Sequence, residues 1–75
     1  MDWRSRISHD PGIRFGKPCV AGTRIAVAEV LEWLAAGMSV EEVVADYPPL
    51  SRDDVLACLA KAAADQAAQK GTGAA

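Results

Sequence analysis

Ser39-Val40-Glu41-Glu42-Val43-Val44-Ala45-Asp46-Tyr47-Pro48-Pro49-Leu50-Ser51-Arg52-Asp53-Asp54 is the stretch that decides the fold. Ser39 and Glu42 have the spacing of a capping box. The serine hydroxyl accepts from the amide three residues on, and the acid reaches back to the serine amide. Val40, Val43, Val44 and Tyr47 follow at i, i+3, i+4 and i+7, one apolar stripe of a helix. Pro48-Pro49 stops that helix, because proline lacks an amide donor and crowds the preceding turn. Ser51 with Asp54 repeats the cap pattern, aspartate being a weaker substitute for Glu or Gln.

Upstream, Val27, Val30, Leu31 and Leu34 make an earlier stripe, extended by Trp33, and Gly37 suits the residue just past a helix end. Met38 is placed to staple against Val43. Downstream, Val55, Leu56, Leu59 and Ala63 form a third stripe, and alanine and glutamine favour helix to about Gln69. The spacing therefore predicts three helices, with Trp33 and Tyr47 in the core. A tight turn between the last two helices is the outline of a helix-turn-helix unit.

Residues 1–26 read differently. Asp10-Pro11-Gly12 is a turn signal, and Gly16-Lys17-Pro18 and Ala21-Gly22-Thr23 mark two more. Ile13-Arg14-Phe15, Cys19-Val20 and Arg24-Ile25-Ala26 lie around these turns as short extended pieces, which predicts a small β-ribbon. Thr23 is placed to satisfy the turn that launches the first helix. The expected organisation is one domain over 1–70, with an extended segment over 1–26, the three-helix bundle over 27–70, and a flexible tail over 71–75.

Composition narrows the function classes. Of 75 residues 51% are hydrophobic, but 15 of those are alanine, leaving 23 larger apolar side chains for a core. A chain this short buries only roughly 60% of its unfolded surface, so association, with a homodimer as the simplest form, is expected. No apolar run approaches the ~20 residues of a membrane span. Met1–Arg6 leads into no apolar stretch, so no secretory leader is expected. Cys19 and Cys58, with no CxxC spacing, then read as free thiols of a cytoplasmic protein. The single histidine, His9, reads as part of a local cap, and no metal, cofactor or nucleophilic set can be assembled around it. Asp53 and Asp54 are adjacent and point to different helix faces, so they are no catalytic pair. Gly12-Ile13-Arg14-Phe15-Gly16-Lys17-Pro18 is no phosphate-binding loop, since three residues separate its glycines and proline follows the lysine. The expectation is a protein that is not an enzyme.

Charge is unevenly placed. Residues 1–24 carry Arg4, Arg6, Arg14, Lys17 and Arg24 against Asp2 and Asp10, a net of +3, whereas residues 25–75 carry a net of −5. Such asymmetry marks an interaction surface or a merely solvated one. The candidate DNA- or partner-binding residues are Arg14, Lys17, Arg24, Arg4, Arg6 and Arg52. Arg24, on a turn-bracketed strand, is suited either to fork a phosphate or carboxylate or to bridge internally to Asp46 or another acid. Trp3, on the same basic arm, could anchor a partner.

His9-Asp10-Pro11-Gly12-Ile13-Arg14-Phe15-Gly16-Lys17-Pro18-Cys19-Val20-Ala21-Gly22-Thr23-Arg24-Ile25, with Ala36-Gly37-Met38-Ser39-Val40-Glu41-Glu42 and Tyr47-Pro48-Pro49-Leu50-Ser51 behind it, resembles the family catalogued as domain of unknown function 433. GKP followed by GTRI carries most of the likeness, which spans residue 7 to about 63. Ala26 departs from the proline that many members have there. The resemblance implies a homeodomain-like three-helix fold and a VapB-type antitoxin of a toxin–antitoxin pair. Its partners would be a PIN-like ribonuclease, which it neutralises, and operator DNA, which it binds as an autoregulator. The alternative is a non-enzymatic protein-interaction or dimerisation module with no DNA binding. Asp53 and Asp54 at the start of the third helix oppose DNA reading there, which leaves the basic segment as the expected contact surface.

Overall fold

The computed structural model describes residues 1–68, so the last residue expected in the third helix and the expected tail over 71–75 lie outside the described residues. The fold is mainly helical. A 3₁₀ turn, Trp3–Arg6, leads into β1 (Ile7–Ser8), which pairs antiparallel with β2 (Cys19–Val20); α1 (Val27–Ala35), α2 (Val40–Asp46) and α3 (Arg52–Ala68) follow. No helix among the described residues is long and apolar enough to cross a membrane.

The caps fall where the sequence places them. Ser39 Oγ accepts from the Glu42 amide at 3.1 Å, while the Ser39 amide donates to Glu42 Oε1 at 2.8 Å. Ser51 and Asp54 make the same exchange at 3.1 and 2.9 Å, so the shorter acid still closes the box. Gly37, at φ 106°, ends α1 in the left-handed region that only glycine enters without strain. Thr23 closes its turn: its hydroxyl donates to the Val20 carbonyl at 2.9 Å and accepts from the Ile25 amide at 3.0 Å.

The ribbon is present, but its first strand is not the expected one. Ile7 lies opposite Val20 and Ser8 opposite Cys19. Ile13-Arg14-Phe15 is no strand; Arg14, Phe15 and Gly16 form a turn with φ 53°, 59° and 81°. Apolar–basic alternation suits a strand, but two flanking glycines so close together leave no length for one. Of the third extended piece, Ala26 makes a single bridge to Cys19.

The core is built from small aliphatic side chains. Ile7, Val20, Val27, Val30, Val43, Leu50, Val55, Ala57 and Cys58 are buried together, with Trp3, Ile25, Leu31, Trp33, Leu34, Met38, Val40, Val44 and Tyr47 packed around them. Trp33 and Tyr47 stack with ring centroids 3.8 Å apart, tying α1 to the end of α2. The stripes on α1 and α2 face inward as expected. On α3 the buried face is Val55, Ala57 and Cys58, whereas Leu59 and Ala63 are exposed. Alanine and cysteine let neighbouring backbone approach more closely than leucine would, so the small residues take the inner face.

Leu50 is the largest fully buried side chain, held in the connection after Pro48-Pro49, where spacing alone marks it as loop. Leu50→Ala should cost about 2–5 kcal/mol, a large share of a small domain's stability; a urea titration followed by far-ultraviolet circular dichroism measures it. Cys19 and Cys58 are both buried, and burial, with the Asp54 charge second, pushes the Cys58 thiol up to about 11. Iodoacetamide at pH 8 should therefore label neither cysteine in the native protein and both after denaturation, read by intact mass.

Candidate functional site

The basic N-terminal segment converges on the first turn of α1. Arg14 Nη1 donates to Glu29 Oε1 at 2.7 Å and to the Arg24 carbonyl at 2.8 Å. Glu29 Oε1 also accepts from the Ala26 amide at 2.9 Å. Ala26 has no side-chain acceptor, so α1 starts on the glutamate half of a capping box, and that same glutamate anchors the preceding loop. The Ala26 amide first and the Arg14 guanidinium second hold the Glu29 carboxyl below its ordinary value, and the Lys17 charge adds to this.

The loop that carries Arg14 is closed by short-range bonds. Asp10 Oδ1 accepts from the Gly12 amide at 2.8 Å, and the Ile13 amide donates to the Asp10 carbonyl at 2.9 Å. The Gly16 and Lys17 amides then donate to the Ile13 and Arg14 carbonyls at 3.2 and 3.1 Å, closing the left-handed turn. A non-glycine residue in that region costs roughly 1–2 kcal/mol. Arg14 recovers this through its fork on Glu29 and Arg24. Phe15 does not: its side chain is 102% exposed.

The six basic candidates have different fates. Arg6 Nη1 bonds Asp54 Oδ1 at 3.1 Å and its Nη2 reaches Asp53 Oδ2 at 3.5 Å, so one guanidinium spans both adjacent aspartates and pins the N-terminal turn to the start of α3. Arg52 Nη1 bonds Glu41 Oε1 at 2.7 Å, joining α3 to the first turn of α2. The Glu41 carboxyl is held below its usual range, by its backbone first and Arg52 second. Arg4 lies over the Trp3 ring, 4.6 Å from its centroid. Trp3 itself packs on the core, so the anchor expected on the basic arm is an internal one. Lys17 and Arg24 are exposed, and among the described residues neither makes an ion pair; the bridge from Arg24 to Asp46 is not formed. Among the described residues, no three His, Cys, Asp or Glu side chains gather as metal ligands would.

Two members of this site escape a reading by spacing. Glu29 scores as a solvated acid on the polar face of α1; the available signal is its place three residues after a cap that has no side chain. Phe15 scores as a strand residue, and only the glycine directly behind it hints at a turn. The exposed Lys17 and Arg24 can recognise carboxylates, and the Phe15 ring, two residues from Lys17, is unburied.

Glu29→Gln should cost about 1 kcal/mol at pH 7, since the amide keeps the Ala26 bond and loses the charge on Arg14. The folded carboxyl titrates below its ordinary 4.5. Its contribution is therefore complete above that value and is lost as pH falls through the lowered one. Urea titrations of both proteins from pH 7 to 3 should show the stability gap closing on the acid side.

A search of the curated proteins gave no match. Among solved structures, the chain is similar to the crystal structure of a DUF433 member protein from Anabaena variabilis ATCC 29413. The two are 28% identical with a TM-score of 0.70, over 75% of this chain and 55% of that one. The chain thus spans about half the length of that relative. The family model described as "Protein of unknown function (DUF433)" matches residues 7–61, most of the sequence, and with the shared fold this shows that the chain belongs to the DUF433 family.

Proposed function

We propose that this protein is the antitoxin of a toxin–antitoxin pair, a non-enzymatic module that neutralises a PIN-like ribonuclease by binding it. The observation that carries this reading is the division of the basic side chains. Arg6, Arg14 and Arg52 are held by acids of the same chain, Arg4 lies exposed over the Trp3 ring, and Lys17 and Arg24 remain exposed near the Arg14–Glu29 anchor. A ribonuclease whose catalytic centre is a cluster of acidic metal ligands offers the complementary charge. The likeness to the family, whose members are often encoded beside such ribonucleases, supports this choice of partner.

The same division weighs against DNA reading by α3. Its first turn carries Asp53 and Asp54, and Arg52, the one side chain there able to fork a guanine, is already on Glu41. An operator contact, if made, falls to the N-terminal segment.

Purifying the full chain together with a PIN-like ribonuclease tests the proposal. The expected result is a stable complex in which RNA cleavage is suppressed, and which Lys17→Glu with Arg24→Glu weakens at least tenfold. Absence of a complex at micromolar concentration overturns the reading. Sequence-preferring binding to the upstream DNA without a ribonuclease complex would replace it with a stand-alone regulator.

A further inference from the structure

Phe15 combines two features that have no use inside this chain. Its backbone is in the left-handed region, at φ 59° and ψ 35°, between Arg14 at 53° and Gly16 at 81°. Its ring is 102% exposed, so no packing offsets either the backbone strain or the contact of an aromatic ring with water. Strained residues persist where their surroundings over-determine them, and they cluster at ligand clamps and switch regions. The over-determination here is visible. Arg14 bolts the turn to Glu29 and to the Arg24 carbonyl, and the Gly16 and Lys17 amides close it from behind. The ring is thus presented on a rigid support.

Its surroundings indicate what the ring meets. Lys17 is two residues along, and Arg24 is brought to the same end of the molecule by the Arg14 bond to its carbonyl. Both are exposed, and neither makes an ion pair among the described residues. An exposed aromatic ring two residues from Lys17, in a turn bonded to the Arg24 backbone, fits an apolar pocket rimmed by carboxylates on a partner protein. Aromatic anchors that fill such pockets carry most of the energy of protein interfaces, and preorganising them avoids the ordering cost of binding.

We infer that Phe15 is the anchor of the partner interface: its ring enters an apolar, acid-rimmed pocket on the ribonuclease, with Lys17 and Arg24 on the pocket's carboxylates. This rests on the antitoxin reading. It adds that affinity resides in one ring held on a left-handed turn, with charge setting the approach.

The test uses the full chain and the same PIN-like ribonuclease, with affinity measured by calorimetry across a salt series and stability by thermal melting. Phe15→Asn removes the ring and suits the left-handed backbone. It should weaken the complex about thirty-fold while the melting temperature of the free protein stays level or rises by about 4 °C. Phe15→Tyr should retain affinity to within about threefold. Lys17→Glu with Arg24→Glu should flatten the salt dependence, which Phe15→Asn should leave alone. A wild-type complex that Phe15→Asn leaves intact overturns this inference and spares the antitoxin reading, whereas no wild-type complex overturns both. A lowered melting temperature in Phe15→Asn would make the ring a structural element of the chain, and a wild-type dimer that Phe15→Asn dissociates would make a second copy the occupant. Either result overturns the assignment.

Discussion

With 15 alanines among 75 residues, the chain has few large side chains with which three short helices could close a core. The helices supply Val27, Val30, Val43, Val55, Ala57 and Cys58 to the buried centre, and the rest comes from outside them. Ile7 and Val20, facing each other across the ribbon, cover one side, and Leu50 fills the gap at the proline turn. The N-terminal segment is thus part of the hydrophobic core as well as the carrier of the basic charge. This dual use places the basic side chains: a strand that must bury Ile7 and Val20 leaves its neighbours on the surface, within reach of the helix starts.

Those helix starts organise the electrostatics. α1, α2 and α3 each begin with a carboxylate three residues past the cap, Glu29, Glu42 and Asp54, where the unpaired amides and the helix dipole favour negative charge. Two of the three carboxylates also hold an arginine from the N-terminal segment, Arg14 on Glu29 and Arg6 on Asp54. Part of the +3 and −5 in the two parts of the sequence is therefore an internal fastening, Arg6 and Arg14 taking up Asp53, Asp54 and Glu29. What remains for a partner is Lys17 and Arg24, with Arg4 exposed over the Trp3 ring.

Caps, helix limits and the proline stop were legible because each depends on residues within four positions of one another. Ser39 with Glu42 and Ser51 with Asp54 behave as their spacing requires, and Gly37 and Gly22 take the positive φ that their turns need. The inner face of α3 was not legible. Periodicity ranks Leu59 above Ala57 by size, whereas in the folded chain Ala57 is fully buried and Leu59 is exposed. The first strand of the ribbon was missed for a related reason: Ile7-Ser8 is too short to show alternation, and its partner lies beyond two turns. At the candidate site, the basic residues were visible as a set, but which were tied up depends on contacts over ten to forty-eight positions of sequence, such as Arg6 with Asp54. Phe15 was hidden because exposure and strain are properties of the folded chain.

Asp54 uses one carboxylate oxygen to accept from the Ser51 amide and the other to accept from Arg6. Detaching the first turn of the chain would leave two neighbouring aspartates at the head of α3 without their cation, and fraying α3 would take the anchor from Arg6. Opening at the chain's beginning and opening at the start of its longest helix are thus coupled through one guanidinium. The strength of that coupling is that of a partly exposed ion pair, modest on the scale of the whole fold. An N-terminal truncation that removes Arg6 therefore acts on the head of α3 as well as on the turn it deletes.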